Sequence, residues 1–251
     1  MNALRRELHA LAAAVMFFTR LPVPGGWGAT REDLQRSSAY FPLVGLLVGG
    51  VAAAVWWLAV QVWTPGIASG LSLAATLLLT GALHEDGFAD VCDGFGGGYT
   101  KERVLEIMRD SRVGAFGAMG VTMMLGLKWL TVATLPLALA PAVMVAAHGL
   151  SRALAATLMT TLAYVREDAA KAKPLATELR GGRLAFVAAT ALAALAWLPP
   201  RFWWVLLTLA VVRSGVARWF VRRIGGYTGD CLGAAQQVSE LAVYLTVIAL
   251  V

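Results

Sequence analysis

The strongest constraint on this fold is a series of apolar runs long enough to cross a lipid bilayer. Of the 251 residues, 59% are hydrophobic and only 14% are charged, and the mean hydropathy is +0.69. Soluble domains rarely have such values, whereas about 20 apolar residues suffice for a transmembrane helix. The sequence predicts an all-α, polytopic integral membrane bundle forming a single domain over 1–251. About seven spans are predicted, near 39–63, 67–84, 113–134, 137–163, 184–198, 202–220 and 237–251.

Basic residues mark one end of the predicted bundle. All but four of the 21 Lys and Arg residues lie at that end; the exceptions are Lys128, Arg152, Arg213 and Arg201. The positive-inside rule places this end in the cytoplasm, so we expect a multi-pass protein of the cell inner membrane with its polar site facing the cytoplasm. The net charge of +6 suits anionic lipid or phosphate-bearing substrates, and nothing in the sequence indicates nucleic-acid binding.

Two further helices are predicted outside the spans. The N-terminal stretch "RRELHALAAAVMFFTRLPVP" has no convincing cleavage site and is interpreted as an uncleaved interfacial helix. The segment "TKERVLEIMRD" separates apolar from charged side chains and is interpreted as a short amphipathic cytoplasmic helix. Residues 166–183 are expected to form a mobile cytoplasmic loop that tolerates insertion near Ala172. Cys92 and Cys231 fall on the reducing side, so no disulfide is expected.

An acidic stretch, "HEDGFADVCDGFGGG" at 84–98, stands out in this apolar chain. If the second span continues as a helix past Leu83, Asp86, Asp90 and Asp93 share one face. Three like charges so close repel unless a divalent cation neutralises them, and carboxylates suit Mg²⁺ or Mn²⁺. Glu85 either joins these ligands or orients one of them. The alternative is a solvated, acid-rich helix end followed by a flexible glycine loop.

Glycines and scattered charges supply candidate substrate contacts. The run "GFGGG" is expected to end the helix and to offer backbone N–H groups of Gly94, Gly96 and Gly97 to phosphate oxygens. Charges at span ends or within spans usually face a polar interior or a ligand. The remaining candidates are Asp110, Arg112, Lys128, Arg152 and Asp230. For Asp110, Arg112 and Asp230, an interfacial or helix-capping position is an equally good explanation. For Lys128 and Arg152 the alternative is pairing with another charge or extension to the membrane surface, but charges within several spans together suggest a polar chamber.

Five stretches, in order along the chain, resemble the cobalamin synthase (adenosylcobinamide-GDP ribazoletransferase) family. They are "FFTRLPVP", "YFPLVGLLVG", "LHEDGFADVCDGFGGG", "IMRDSRVGAFGAMG" and "GGYTGDCLGA". The resemblance implies a membrane enzyme that joins adenosylcobinamide-GDP to α-ribazole, or to its 5′-phosphate, using Mg²⁺ and releasing GMP. On this hypothesis Asp86, Asp90 and Asp93 hold Mg²⁺ on the diphosphate. One carboxylate, or a metal-bound hydroxide, then deprotonates the ribazole 3′-hydroxyl. A homo-oligomer, or association with other cobalamin-assembly enzymes, stays open.

Two other functions fit parts of the sequence. The segment "DVCDG" at 90–94 resembles the opening of the CDP-alcohol phosphotransferase motif, but the family's alanine–arginine continuation and later aspartates are missing. Charges within spans and glycine-broken helices are also typical of secondary transporters. Against a transporter, the acids cluster at the end of a span, and the connections at the opposite end carry no acid.

Overall fold

The computed structural model describes residues 3–166 and 179–251, and in these ranges the chain is helical. The eleven α-helices are α1 (Ala3–Phe18), α2 (Arg31–Ser37), α3 (Phe41–Ala59), α4 (Pro65–Thr80), α5 (Leu83–Gly97), α6 (Lys101–Ile107), α7 (Ala115–Thr134), α8 (Ala140–Met159), α9 (Gly182–Leu195), α10 (Val205–Ile224) and α11 (Gly229–Ala249). Short 3-10 helices at Ser38–Tyr40 and Pro200–Trp204 precede α3 and α10. The prediction of an all-α fold is confirmed.

The apolar helices follow the predicted spans, with different ends. Five described helical stretches are long and apolar enough to cross a membrane: Arg31–Ala59, α7, α8, Pro200–Ile224 and α11. Helices α4 and α5 would make a sixth crossing if counted together, and α9 is a shorter apolar helix of 14 residues. The chain is therefore a polytopic helical membrane protein. The count of seven crossings stays a prediction.

The acidic stretch does not continue the second span, so that expectation is wrong. The chain turns by 90° between α4 and α5. Gly81 and Ala82 both have positive φ, of 67° and 57°, and such values end a right-handed helix. The Arg20 side chain covers the bend, since a Cβ atom on Gly81 would lie 2.6 Å from its Nε. The acids therefore belong to a separate helix that points away from α4.

Helix α8 lies at the centre of the bundle, because glycines on neighbouring helices let it approach closely. A Cβ atom on Gly45 of α3 would lie 2.3 Å from the carbonyl oxygen of His148, and one on Gly49 would lie 2.8 Å from the Val145 Cα. Small residues commonly allow such backbone contact between membrane helices. Of the apolar window in α8, 83% is buried, compared with 22% for α10, which lies at the periphery.

Both helices predicted outside the spans are present. Helix α1 buries a stripe that includes Ala10, Ala14 and Phe18. Helix α6 begins at Thr100, whose hydroxyl accepts the Arg103 N–H, and it buries Val104 and exposes its charged side chains. The predicted loop at 166–183, with its insertion site near Ala172, lies mostly outside the described residues.

Candidate active site

The candidate active site begins with a close contact between α5 and α11. A Cβ atom on Gly87 would lie 2.9 Å from the Asp230 Cα, and one on Gly233 would lie 3.2 Å from the His84 carbonyl oxygen. Larger residues at either glycine would push the helices apart. The contact places Asp230, at the start of α11, beside the acidic face of α5.

Three carboxylates, Asp86, Asp90 and Asp230, form what we call the acidic rim. Asp86 is exposed and Asp90 is half-buried. The negative charges of Asp230, Asp86 and Asp93 all act on Asp90. Across residues 3–166 and 179–251, no hydrogen bond or ion pair engages the carboxylate of Asp86 or Asp90. The rim therefore contains two carboxylates, Asp86 and Asp90, that the described part of the protein does not pair, whereas Asp230 is paired with Arg166.

Asp93 shares the helix face of Asp86 and Asp90 but is buried against α7. Its Oδ2 accepts the N–H of Gly114 at 2.7 Å, and its Oδ1 accepts the N–H of Gly117 at 2.8 Å. The carboxylate thus binds the positive end of the α7 helix dipole. Both glycines leave room for it, because a Cβ atom on either would lie within 2.4 Å of a carboxylate oxygen. Asp93 therefore anchors α7 beside the acidic rim.

Glu85 points toward α11 instead of toward the rim. Its Oε1 accepts the side-chain N–H of Gln237 at 2.8 Å, and its Oε2 is buried without a hydrogen-bond partner in the structure. Gln237 in turn donates to Gln236, so the two glutamines tie Glu85 to the interior of the bundle. Glu85 is thus placed to hold α5 against α11.

The predicted metal ligands are not brought together as one set of four. Within the described ranges, no three His, Cys, Asp or Glu side chains are close enough to form a metal cluster. Mg²⁺, however, is often held by one or two carboxylates together with substrate phosphates. The carboxylates of Asp86 and Asp90, which have no partner among residues 3–166 and 179–251, fit that kind of site, whereas both oxygens of Asp93 already accept backbone N–H groups.

Sequence reasoning missed Arg166, which closes one side of the acidic rim. Its Nη2 donates to the Asp230 Oδ2 at 2.6 Å and to the Met108 carbonyl oxygen at 3.1 Å. Backbone pairing of two loops places it there: Tyr227 N–H donates to the Ala163 oxygen at 2.9 Å, and Val165 N–H donates to the Tyr227 oxygen at 3.1 Å. No local sequence signal indicates this pairing, because the loops are more than 60 residues apart.

The rim opens into a cavity of about 340 Å³ enclosed by α1, α3, α5, α8 and α11. Asp86, Asp230 and Arg166 stand among its more accessible lining residues. The buried part of the lining is mainly aromatic and apolar and includes Phe18, Phe41, His84, Arg152, Ala155, Met159 and Tyr227. Burial raises the pKa of Tyr227 to about 12, so its hydroxyl stays protonated at neutral pH. The cavity is therefore charged at its mouth and mainly aromatic and apolar inside, where Arg152 is the charged residue of the buried lining.

A second group of polar side chains, which we call the buried charge cluster, lies behind the cavity and comprises the charged Lys128, Arg152 and Glu240 together with the imidazole of His148. Lys128 Nζ lies 2.8 Å from the Glu240 Oε1, and both side chains are 3% exposed. His148 Nδ1 lies 3.3 Å from the Glu240 Oε2 and 3.2 Å from the Arg152 Nη1. Lys128 faces this cluster and does not line the cavity, whereas Arg152 belongs to both.

The run "GFGGG" ends α5 as predicted, but only after Gly97, so Gly94, Gly96 and Gly97 do not form the flexible loop of the alternative interpretation. Helix α5 continues to Gly97, so their N–H groups lie within a helix. A Cβ atom on Gly94 would lie 2.4 Å from the Met108 Cγ, and one on Gly96 would lie 2.6 Å from the Phe116 Cγ. These glycines therefore allow neighbouring side chains to pack against α5. Their assignment to substrate binding stays a prediction.

Asp110 and Arg112 lie on the surface and bind each other. Arg112 Nη2 donates to the Asp110 Oδ2 at 2.6 Å, and the Arg112 side chain is 87% exposed. These hydrogen bonds lower the pKa of Asp110 to about 2, so its carboxylate is ionised at neutral pH. Neither residue lines the cavity. Their roles in substrate binding also stay predictions.

Comparison with known proteins assigns the chain to a family. Residues 10–248 match the family model for cobalamin-5-phosphate synthase. The chain belongs to this family. A relative from Ralstonia pickettii (strain 12J), named adenosylcobinamide-GDP ribazoletransferase, is 51% identical, and the match covers 97% of this chain and 96% of the relative.

Other curated relatives carry the same name. One from Shewanella amazonensis is 45% identical, with 100% of this chain and 98% of the relative covered. One from Vibrio cholerae serotype O1 is 44% identical, with 98% and 95% covered. No solved structure matches the chain significantly. The family resemblance noted in the sequence is thus confirmed over nearly the full length.

Proposed function

We propose that this protein joins adenosylcobinamide-GDP to α-ribazole, or to its 5′-phosphate, and releases GMP. Near full-length relatives named adenosylcobinamide-GDP ribazoletransferase support this activity. The structural observation that carries it is the acidic rim: Asp86 and Asp90 have no partner in the described part of the chain, and Asp86 and Asp230 line the cavity. Phosphoryl transfer needs charge stabilisation at a diphosphate and a well-placed hydroxyl, and such a cavity mouth can provide both.

The bond changes follow from the two substrates. The ribazole 3′-oxygen forms a bond to the phosphorus that carries the cobinamide, and the bond from that phosphorus to the bridging oxygen breaks. GMP leaves with the bridging oxygen. The proton of the attacking hydroxyl passes to one of the rim carboxylates. Arg166, held by Asp230, brings a guanidinium to the rim, where it can donate to phosphate oxygens.

Asp86 and Asp90, beside Asp230, are the residues that would hold Mg²⁺ with the substrate diphosphate. The metal would supply neutralisation of the phosphate charge. Asp93 supports these residues by fixing the N-terminus of α7, and Glu85 supports them by holding α5 against α11 through Gln237. Arg152 reaches the cavity from the buried charge cluster and is placed to donate to substrate there.

Product analysis with purified protein tests the activity. The protein in detergent, with Mg²⁺, adenosylcobinamide-GDP and α-ribazole, should form GMP and a cobalamin in equal amounts, as measured by chromatography and mass spectrometry. A parallel reaction with a CDP-alcohol and a lipid acceptor should give no product. Transfer from the CDP-alcohol, with none from adenosylcobinamide-GDP, would overturn the proposal in favour of a lipid head-group enzyme.

We also propose that the protein lies in the inner membrane with the acidic rim facing the cytoplasm. The bias of Lys and Arg toward one end of the spans supports this orientation. Exposed positions at the predicted cytoplasmic end of the bundle provide a test in a variant with both native cysteines changed to serine. Cysteines introduced at Lys101 and Arg222 should react with a membrane-impermeant maleimide only after lysis. Reaction at either position in intact cells would reverse the orientation.

A further inference from the structure

We infer that the cavity binds the base of the nucleoside substrate, with a flat, apolar, bicyclic ring of the benzimidazole type inside and the ribose at the acidic rim. This inference rests on the proposed function, because that function supplies a benzimidazole nucleoside as acceptor. It adds which substrate occupies the cavity and in which direction.

The size of the cavity selects among the substrates. A volume of about 340 Å³ lies at the lower end of the range for small-molecule sites and is sufficient for a nucleoside. The corrin macrocycle with its amide side chains is several times larger and cannot enter. The corrinoid therefore stays outside the mouth, and only the ribazole or the guanosine part of the donor can occupy the interior.

The lining favours the apolar base over guanine. Phe18 and Phe41 contribute aromatic surface, and Ala155 and Met159 contribute aliphatic surface. The rings of Phe18 and His84 are stacked, with centroids 5.3 Å apart and planes within 7°, which gives the interior a rigid flat wall. A bicyclic aromatic ring gains from burial against such walls, and aromatic pairs prefer offset-stacked or edge-to-face contacts.

Polar groups in the buried lining are few, and the charged one is the Arg152 guanidinium. Arg152 is 2% exposed, and its Nη1 lies 3.2 Å from both the Nδ1 and the carbonyl oxygen of His148. A guanidinium can only donate, so an occupant that offers an acceptor suits this lining. Benzimidazole has one unsubstituted ring nitrogen, which is an acceptor. Guanine also carries several N–H donors that this lining would leave largely unpaired, and buried unpaired donors oppose binding.

The position of the acidic rim sets the direction of the nucleoside. Asp86 and Asp230 line the cavity together with the buried apolar residues, so they are the carboxylates nearest to a bound molecule that projects from it. A base held inside leaves its ribose hydroxyls at the rim. The hydroxyl that attacks phosphorus then lies where the carboxylates can take its proton, and the donor diphosphate approaches from outside.

Filling the cavity tests the inference. Ala155 of α8 is buried in the lining, and Ala155→Phe places a ring where the base would lie. We expect the KM for α-ribazole to rise by about tenfold or more, while the KM for adenosylcobinamide-GDP changes less than about twofold. The matched control is Ala210→Phe on the exposed face of α10, which should leave both KM values unchanged.

A milder change uses the size of the base. In Ala155→Val, the KM for the 5,6-dimethylbenzimidazole riboside should rise more than that for the unsubstituted benzimidazole riboside, because only the larger base meets the added methyl groups. A merely structural defect would raise both equally. This variant also keeps the test valid if Ala155→Phe fails to fold.

Direct binding separates this inference from the proposed function. Equilibrium dialysis of radiolabelled α-ribazole with purified wild-type protein, without donor, should show saturable binding that Ala155→Phe weakens by about tenfold. Binding without any transfer by the wild-type protein would refute the function and leave the cavity assignment standing. A rise in the KM for adenosylcobinamide-GDP instead would assign the cavity to guanosine. Unchanged KM values in both Ala155 variants would show that no substrate occupies it. Either result overturns the inference.

Discussion

The acidic rim and the buried charge cluster both contain carboxylates, but these differ in burial and in whether a protein group pairs with them. In the buried charge cluster, Glu240 is 3% exposed, pairs with Lys128 at 2.8 Å and lies 3.3 Å from the His148 Nδ1. In the acidic rim, Asp86 and Asp90 have no partner in the described part of the chain and are more accessible. Paired buried charges hold the helices in one arrangement, whereas accessible carboxylates without a protein partner are available to a ligand. The difference indicates that the acidic rim, and not the buried charge cluster, serves the function.

Breaking the buried charge cluster should have the largest effect, and that effect should be on stability. Glu240→Gln removes the negative charge next to Lys128 Nζ and leaves a buried ammonium without an ion-pair partner. The expected cost is about 3–5 kcal/mol of unfolding free energy. Thermal unfolding in detergent measures it. Glu106→Gln removes an exposed ion pair with Arg103 and should leave the unfolding temperature unchanged.

Adding Lys128→Met to Glu240→Gln sharpens this prediction. The double variant removes both charges of the pair, so it should recover part of the lost stability. An unfolding temperature for Glu240→Gln equal to that of the wild type would contradict the view that the cluster is held by its charges.

Breaking the acidic rim should abolish turnover without unfolding the protein. Asp86→Asn and Asp90→Asn keep the side-chain size but remove charge where the diphosphate must bind. We expect each to lower the rate of GMP release by roughly 10²-fold or more, with an unchanged unfolding temperature. Glu102→Gln, on the exposed side of α6, should be nearly silent. Near-normal turnover of both variants at limiting Mg²⁺ would show that these carboxylates have a structural role and do not take part in catalysis.

A change at Asp93 should affect both stability and activity, unlike changes in the buried charge cluster or at Asp86 and Asp90. In Asp93→Asn, one of the two hydrogen bonds to Gly114 and Gly117 is lost, because the amide nitrogen cannot accept an N–H. We expect a loss of about 1–3 kcal/mol in stability together with lower activity. If activity falls roughly 10²-fold with no change in unfolding temperature, Asp93 acts with the rim as a metal ligand.

The smallest effect is expected for the contact that assembles the rim. Gly87→Ala places a methyl group 2.9 Å from the Asp230 Cα, so α5 and α11 must separate slightly. We expect turnover to fall by about tenfold, because a small displacement of catalytic groups is costly. Gly126→Ala in α7 is the matched control, since nothing lies within 4 Å of its Cβ position and the change favours helix. Equal turnover in the two variants would argue against the contact.

The sequence predicted the helices well, because hydropathy and helical periodicity are local properties. The spans near 113–134 and 137–163 correspond to α7 and α8, and the amphipathic segment corresponds to α6. The bend at Gly81 and Ala82 was missed. Nothing in the local pattern requires Ala82 to adopt positive φ, and the Arg20 side chain that covers the bend is distant in the chain.

The candidate site was predicted in part. Asp86 is exposed and Asp90 half-buried, neither has a partner within the described ranges, and Asp230 lies beside them. The sequence could not show that Glu85 turns toward Gln237, nor that Arg166 reaches Asp230. These partners come from α11 and from a loop brought in by pairing with residues 163–165 and 227, so only chain packing brings them together.

By itself, the sequence determined that the chain is a helical membrane protein of a recognisable family with a carboxylate face on one helix. These features depend on composition and on residues a few positions apart. Only the tertiary structure decided which carboxylates are engaged by other groups of the protein. Asp93 meets Gly114 and Gly117 from another helix, and Asp230 reaches α5 only because Gly87 permits the approach. The partner of a charge buried in a helical bundle is the group that helix packing places beside it, and residues near it in the sequence do not indicate which group that is.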